Sequence, residues 1–111
     1  MCAVFGLLDF KGILTSVERT RIIRALGNAA EIRGTDATGI AFVQGNGIQI
    51  QKAPKPARLM RYRIDPSARV IIGHTRAATQ GKASRNQNNH PFPGKAGNLP
   101  FALAHNGVLF N

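Results

Sequence analysis

The chain has 111 residues, 43% of them hydrophobic, which suits one globular domain with its own core. Fifteen Lys and Arg against five Asp and Glu give a formal net charge of +10, which indicates either an anionic partner or a chain whose remainder is acidic. The single cysteine excludes an internal disulfide and a metal site built on cysteine pairs, and no apolar run is long enough to span a bilayer. No secretory signal is visible, so we expect a reducing, cytoplasmic setting.

The first third of the chain predicts a strand followed by a helix. Residues 2–8 are nearly all apolar and predict a buried strand, and residues 9–12 predict a turn. Thr15 and Glu18 have the spacing of a capping box, and the helix that follows is expected to end near Ile32. Its apolar face comprises Ile22, Ile23, Leu26, Ala29 and Ala30, with Arg19, Arg21 and Arg24 around the rest of the helix.

The remainder of the chain predicts mainly strands. Residues 38–43 and 48–52 predict two strands joined by a hairpin turn, and a short helix is expected to start at Pro56. Residues 69–75 predict another buried strand, residues 81–98 a long polar loop, and residues 101–105 a final strand. Because strands outnumber helices and hairpin connections recur, the sequence predicts an α+β fold with antiparallel pairing.

Cys2 is the first residue with chemical potential. Cysteine is small enough for removal of Met1 to be plausible, which would place a thiol and a free α-amine on one residue. The amine titrates near the thiol and so can act as the general base for it. The alternative is a small buried hydrophobe beside a strand end.

Two further segments carry polar groups at strand ends. Arg76 ends a buried strand, where a guanidinium can grip a carboxylate through two hydrogen bonds; alternatively it is a solvated surface arginine. Asn106 and Gly107 follow the last strand, where a side-chain amide beside a backbone N–H can form an oxyanion hole. The alternative there is a simple Asn-Gly turn.

Five blocks occur in order along the chain: MCAVFGLLDF, RGTDATGIA, GHTRAATQG, NNHPF and LAHNGVLFN. This pattern resembles the class II glutamine amidotransferases, and the resemblance spans residues 1–111 as the N-terminal portion of such a domain. It implies the αββα arrangement of the N-terminal-nucleophile hydrolases, with stacked antiparallel sheets and flanking helices. It also implies glutamine as the substrate, hydrolysed through a glutamyl thioester without a metal or cofactor, and a synthase domain or subunit that receives the ammonia.

The resemblance also implies residue roles. Cys2, Asn106 and Gly107 match the nucleophile and the oxyanion hole. Arg76 matches the residue that holds the glutamine α-carboxylate, with Ala77 and Thr79 in the adjoining substrate-binding stretch. Arg33 and Gly34 match the loop that packs near the N-terminal cysteine.

The sequence differs from the family pattern in places. Ala77 and Gln80 stand where the synthase branch often has Trp and His, which leaves the ammonia acceptor open. Domains of the family are usually longer, and the part beyond normally carries a carboxylate for the substrate amino group. Asp9, Asp36 and Asp65 sit in the wrong blocks to replace that carboxylate. We therefore expect a partial domain that exposes strand edges and part of a core and tends to self-associate, so a homo-oligomer is an open alternative.

Two other functions compete with the enzyme hypothesis. The first is a binding module for phosphate or nucleic acid, based on the five basic residues of positions 52–63; a solvated helix face explains the same pattern. Few aromatic residues and no RNA-stacking motif weaken the case for RNA. The second is an inactive remnant of the fold. His74 and His105 are expected to be hydrogen-bonded structural residues, and His90 to border the pocket, with no metal site.

Overall fold

The computed structural model describes residues 2–78 and 81–106. Its strands are Ala3–Leu8 (β1), Ala37–Gln44 (β2), Gly47–Ala53 (β3), Val70–Arg76 (β4), Phe92–Ala96 (β5) and Leu99–Leu103 (β6). One α-helix, Ser16–Ala30 (α1), is present in these ranges, and short 3-10 helices cover Glu31–Arg33, Ala57–Leu59 and Asn86–Asn88. No helix in the same ranges combines the length and apolar character needed to cross a bilayer.

The strands form two antiparallel sheets, which confirms the predicted α+β class. The larger sheet has the order β1-β4-β2-β3, and β5 pairs with β6 in a separate hairpin. In the register of the larger sheet, Ala3 lies opposite Thr75, and Thr75 lies opposite Thr38. The start of β1, the end of β4 and the start of β2 therefore meet at one end of the sheet.

The predicted capping box at the start of α1 is present. The Glu18 backbone N–H donates to Thr15 Oγ1 at 3.1 Å, and the Thr15 N–H donates to Glu18 Oε1 at 2.9 Å. These two bonds satisfy donors that the first turn of a helix leaves free. The helix ends at Ala30 rather than near Ile32, because the chain tightens there into the 3-10 helix Glu31–Arg33.

Helix α1 covers one face of the larger sheet and forms the core with it. The buried cluster consists of Ile23, Ile40, Phe42, Ala68 and Ile71, with Phe5, Leu7, Tyr62 and Ile64 packed around it. Of the apolar face predicted for α1, only Ile23 is fully buried, and Ala29 is exposed. Glycine at position 27 leaves room for Tyr62, in the segment between β3 and β4, since an added Cβ would lie 2.8 Å from the Tyr62 hydroxyl oxygen.

Arg19 is buried although it lies outside the apolar face predicted for α1. Its guanidinium donates to the carbonyl oxygen of Ala68 and, at 3.1 Å, to that of Leu14. Its Nε also lies 3.4 Å from Asp9 Oδ2. Asp9 in turn accepts from the N–H groups of Ile13 and Leu14 at 3.0 and 3.1 Å, so both charges are buried with partners.

The predicted long loop over residues 81–98 is the second correction. It contains the 3-10 helix Asn86–Asn88 and strand β5, and the final strand runs over Leu99–Leu103 rather than residues 101–105. The strand was not predicted because glycine and proline are typical of loops. Pro93 is tolerated because β5 pairs only with β6 among the described strands. Gly97 forms the turn between β5 and β6 with a φ of 63°. The segment leading into β5 lies on the sheet face opposite α1, where an added Cβ on Gly39 would meet the His90 carbonyl oxygen.

Candidate active site

The thiol of Cys2 lies at the end of the larger sheet where β1 begins and β4 ends. Cys2 precedes β1 by one residue, and the register places the neighbouring Ala3 opposite Thr75. The side chain is half-buried, and Sγ donates to the carbonyl oxygen of Ala77 at 3.6 Å. The structure thus brings the predicted nucleophile against the stretch predicted to bind substrate.

The loop around Gly34 packs against the same stretch. An added Cβ on Gly34 would lie 2.5 Å from the Arg76 carbonyl carbon and 2.8 Å from the Ala77 nitrogen. Its backbone is extended, with a φ of −170°, so glycine is required here by space and not by backbone strain. Arg33 immediately precedes it and closes the 3-10 helix Glu31–Arg33. Gly34 and Cys2 therefore contact the same two-residue stretch, Arg76 and Ala77.

Asp36 ties this loop to the chain beyond β4. Its N–H donates to the Arg76 carbonyl oxygen at 2.9 Å, and its carboxylate accepts from the Ala78 N–H at 2.8 Å. Both bonds flank Ala77, whose own carbonyl oxygen accepts from Cys2. The position of that carbonyl is consequently fixed from both sides.

Arg76 is buried at 5% exposure, which excludes the alternative of a solvated surface arginine. Its guanidinium donates to Asn89 Oδ1 at 2.8 Å and to the Gly81 carbonyl oxygen at 3.1 Å. Asn89 is itself fully buried and donates to the Ala83 carbonyl oxygen at 2.8 Å. The polar loop after β4 therefore folds back over this arginine and fixes its direction.

Three histidines position the chain just before Asn106. The His74 Nε2 lies 3.0 Å from the His105 carbonyl oxygen, and the His105 N–H donates to His90 Nδ1 at 3.1 Å. The rings of His74 and His90 stack with centroids 4.0 Å apart. These contacts confirm that the His74 ring is hydrogen-bonded, whereas His105 bonds through its backbone, and they attach the residue preceding Asn106 to strand β4.

Burial keeps both stacked rings neutral. It lowers the pKa of His74 to about 4, and it lowers the pKa of His90 to about 4 with a further contribution from the charge of His74. A neutral His74 whose Nε2 carries the proton donates to the His105 carbonyl, while a neutral His90 accepts at Nδ1. The bond from the His105 N–H thus depends on an uncharged His90, because a protonated Nδ1 cannot accept it.

The structure brings Cys2, Gly34, Arg76 and Ala77 together at one end of the sheet and places Asn106 next to the tethered His105. Thr79 and Gly107 lie outside the described residues. Sequence reasoning missed Asn89, because one asparagine within the polar run NQNN carries no signal that it is buried against an arginine. Within residues 2–78 and 81–106, no group of three or more His, Cys, Asp and Glu is arranged to hold a metal ion.

Comparison with known proteins yields a family and a set of relatives. The family model described as glutamine amidotransferases class-II matches residues 1–111. Glutamine–fructose-6-phosphate aminotransferases (isomerizing) from Geobacillus kaustophilus and Sulfurisphaera tokodaii are 35% and 32% identical over the whole chain, and the enzyme from Bacillus cereus is 40% identical. The chain spans 17–18% of the length of these relatives. No solved structure matches it significantly.

Proposed function

The chain belongs to the class II glutamine amidotransferases, and we propose that Cys2 is the nucleophile with which it hydrolyses the side-chain amide of glutamine. The observation that carries this proposal is the contact of Cys2 Sγ with the Ala77 carbonyl oxygen, 3.6 Å away, beside the buried Arg76. It joins the one thiol of the chain to the stretch that contains the buried Arg76.

The proposed reaction begins once removal of Met1 has freed the α-amine of Cys2. The amine takes the thiol proton, and the sulfur attacks the amide carbon to form a tetrahedral intermediate. Collapse of that intermediate breaks the C–N bond, and the protonated amine returns its proton to the departing ammonia. Water then hydrolyses the glutamyl thioester, which releases glutamate and regenerates the thiol.

Asn106 and Gly107 are proposed to stabilise the oxyanion. The side-chain amide of Asn106 and the N–H of Gly107 supply two donors, and one such donor typically contributes about 3 kcal/mol of transition-state stabilisation. Support for Asn106 comes from the preceding residue, His105, whose carbonyl is bonded to His74 of strand β4 and whose N–H is bonded to His90 before strand β5. A tethered backbone is what a preorganised donor requires.

Arg76 is proposed to hold the α-carboxylate of glutamine, with Ala77 and Thr79 beside it and the Arg33–Gly34 loop as support. The guanidinium donates to the side-chain oxygen of Asn89 and the backbone oxygen of Gly81, which fix its direction. A charged donor of fixed direction in a largely buried site gives a carboxylate both affinity and orientation.

The ammonia acceptor is proposed to be a separate domain or subunit. The relatives are named for transfer to fructose 6-phosphate, and the chain matches only the glutamine-hydrolysing part of them. Ala77 leaves the acceptor branch open, as the sequence indicated. We also propose a reducing, cytoplasmic setting, because the nucleophile requires a free thiol.

The test is glutamate release from glutamine, measured together with the intact mass of the protein. The protein that has lost Met1 is expected to release glutamate. In the Cys2→Ala variant, glutamate release is expected to fall to the uncatalysed rate. A glutamine analogue with an electrophilic carbon in place of the amide should add one label to the active chain and none to the variant. Equal glutamate release by the two proteins would contradict the proposal. No release from chain with a free Cys2 amine would favour an inactive remnant.

A further inference from the structure

A cleft lies at the β3 edge of the larger sheet, opposite the β1 edge. It has a volume of about 710 Å³ and lies along β3, between the chain around Met60 and the 3-10 helix Asn86–Asn88. Because β4 and β2 separate β3 from β1 in the sheet, this cleft lies apart from Cys2, although its residues Lys52 and Asn86 are hydrogen-bonded to Asn89. The mechanism of glutamine hydrolysis uses none of the residues that line it.

The lining of this cleft is basic. Its four charged residues are all cations, Lys52, Lys55, Arg61 and Arg63, and no carboxylate is present among the lining residues that the structure describes. The two ion pairs found within the described ranges are Arg19 with Asp9 and Arg58 with Glu31, neither of which involves the cleft. Four positive charges therefore face one concave surface without a counter-charge.

Lys52 is fixed at the inner side of the cleft. Its ammonium donates to the carbonyl oxygens of Asn89 and Pro91 at 2.6 and 3.1 Å, and burial lowers its pKa. The ammonium also lies 5.3 Å from the centroid of the Phe92 ring, so three contacts hold the charge in place. Both acceptors are neutral, and an anion in the cleft would supply the compensation for a partly buried positive charge.

The walls of the cleft are held by side-chain amides. Gln51 accepts from the Arg63 N–H at 2.8 Å and donates to the Arg63 carbonyl oxygen, which fastens that segment to β3. On the other side, Asn86 Nδ2 donates to the Lys52 carbonyl oxygen at 2.6 Å. The cations are thus carried on backbone that is fixed on both sides of the cleft, unlike lysines and arginines scattered over a surface.

We propose that this cleft binds a small molecule that carries a phosphate group. Its volume falls within the roughly 300–1,000 Å³ of small-molecule sites. Ile50, Ala53 and Met60 provide an apolar floor for a sugar or nucleoside, and the cations above it provide the donors for phosphate oxygens. Nucleic acid fits less well, because no aromatic side chain in the described lining offers a base a surface to stack on.

The test is calorimetric titration of the chain at low salt with inorganic phosphate, ADP, adenosine, glucose 6-phosphate and glucose. ADP or glucose 6-phosphate is expected to bind saturably at one site, with inorganic phosphate competing, and adenosine and glucose should not bind. The double variant Arg61→Gln/Arg63→Gln should weaken that binding at least about tenfold, the equivalent of losing one charged hydrogen bond. Glutamate release should remain unchanged in it.

The matched control is Lys11→Gln/Lys95→Gln, which removes the same charge from exposed positions outside the cleft. It is expected to retain the affinity of the unmodified chain. Equal weakening by the two double variants would overturn the proposal, because binding would then follow net charge and not the cleft. Absence of saturable binding by every phosphate-bearing probe would overturn it too. So would a single-stranded oligonucleotide that binds and is not displaced by ADP or glucose 6-phosphate.

Discussion

Gly34 is the residue whose missing side chain determines how closely the loop after α1 approaches Ala77. The predicted change is Gly34→Ala, which would put a Cβ 2.5 Å from the Arg76 carbonyl carbon. Because backbone and not a flexible side chain stands in the way, we expect a loss of about 1–3 kcal/mol in the free energy of unfolding. The shift of Ala77 should also lower glutamate release. Urea unfolding and a glutaminase assay check both effects.

Gly47→Ala is the matched control for that substitution. Gly47 also follows a turn, but the nearest atom to its added Cβ is the Gln44 carbonyl oxygen, 3.8 Å away. The change in unfolding free energy is expected to stay within about 0.5 kcal/mol. Equal stability of the two alanine variants would contradict the close packing of Gly34 against the Arg76 backbone.

Asn89 is a positioning residue for Arg76, and its removal should affect both stability and substrate affinity. Asn89→Ala leaves the Arg76 guanidinium and the Ala83 carbonyl each without one partner in the interior. We expect a loss of about 1–3 kcal/mol in unfolding free energy and a KM for glutamine that rises more than kcat falls. Asn88→Ala, which breaks one exposed hydrogen bond to Lys82, should change KM little. If the KM for glutamine were unchanged in both variants, Asn89 would not position Arg76 for the substrate.

At the scale of elements, the sequence predicts best where a local signal and a tertiary contact agree. The capping box of Thr15 and Glu18 and the hairpin between β2 and β3 are short-range features, and both are present. Strand β5 could not be predicted, because Pro93 is tolerated where β5 pairs only with β6 among the described strands, and Gly94 leaves room for the Phe101 ring. The burial of Arg19 depends on Asp9, ten residues earlier, and on the carbonyl of Ala68.

The candidate site follows the same division. Cys2, Arg76 and Asn106 are recognisable because their residue types occur in ordered sequence blocks. The stacked pair of His74 and His90 is not recognisable, since it depends on two segments meeting across the sheet face opposite α1. Sequence therefore predicts which groups react, while the packing that orients them requires the fold.

The histidine tether between β4 and the segment before Asn106 should make the chain sensitive to acid. The pKa of His90 is lowered to about 4 in the fold, below the value of about 6.5 that an unfolded chain has, so the unfolded state takes up the proton first. The stabilisation is present above about pH 6.5 and is lost as the pH falls toward 4. Protonation at Nδ1 also removes the acceptor for the His105 N–H.

We therefore expect the midpoint temperature of thermal unfolding to decrease as the pH is lowered from about 6.5 to about 5. Most carboxylates are still ionised over that interval. The variant His90→Gln retains a side-chain acceptor that does not titrate, and its midpoint should fall less steeply over that interval. A combined variant at His74 and His90 should remove the dependence further, because burial lowers the pKa of His74 in the same way. Identical slopes for the variants and the unmodified chain would show that the tether does not carry the pH response.

At the scale of the whole molecule, positive charge exceeds what the described ion pairs can compensate. The formal net charge is +10, and the described residues form two ion pairs, one of them largely exposed. Repulsion among like charges favours expanded states, and salt screens it: the screening length falls from about 30 Å at 0.01 M to about 8 Å at 0.15 M. We therefore expect the midpoint of thermal unfolding to rise by a few degrees over that range of sodium chloride.

The control for the salt response is Lys11→Glu/Lys95→Glu, in which each replacement lowers the net charge by two without touching either ion pair. At low salt, the midpoint temperature of unfolding should be higher for this variant than for the unmodified chain. It should also rise less as salt is added. A midpoint that falls with salt in the unmodified chain would mean that attraction within the ion pairs outweighs repulsion among the remaining cations. The buried pair of Arg19 and Asp9 would then dominate the electrostatics, because screening acts least on groups removed from solvent.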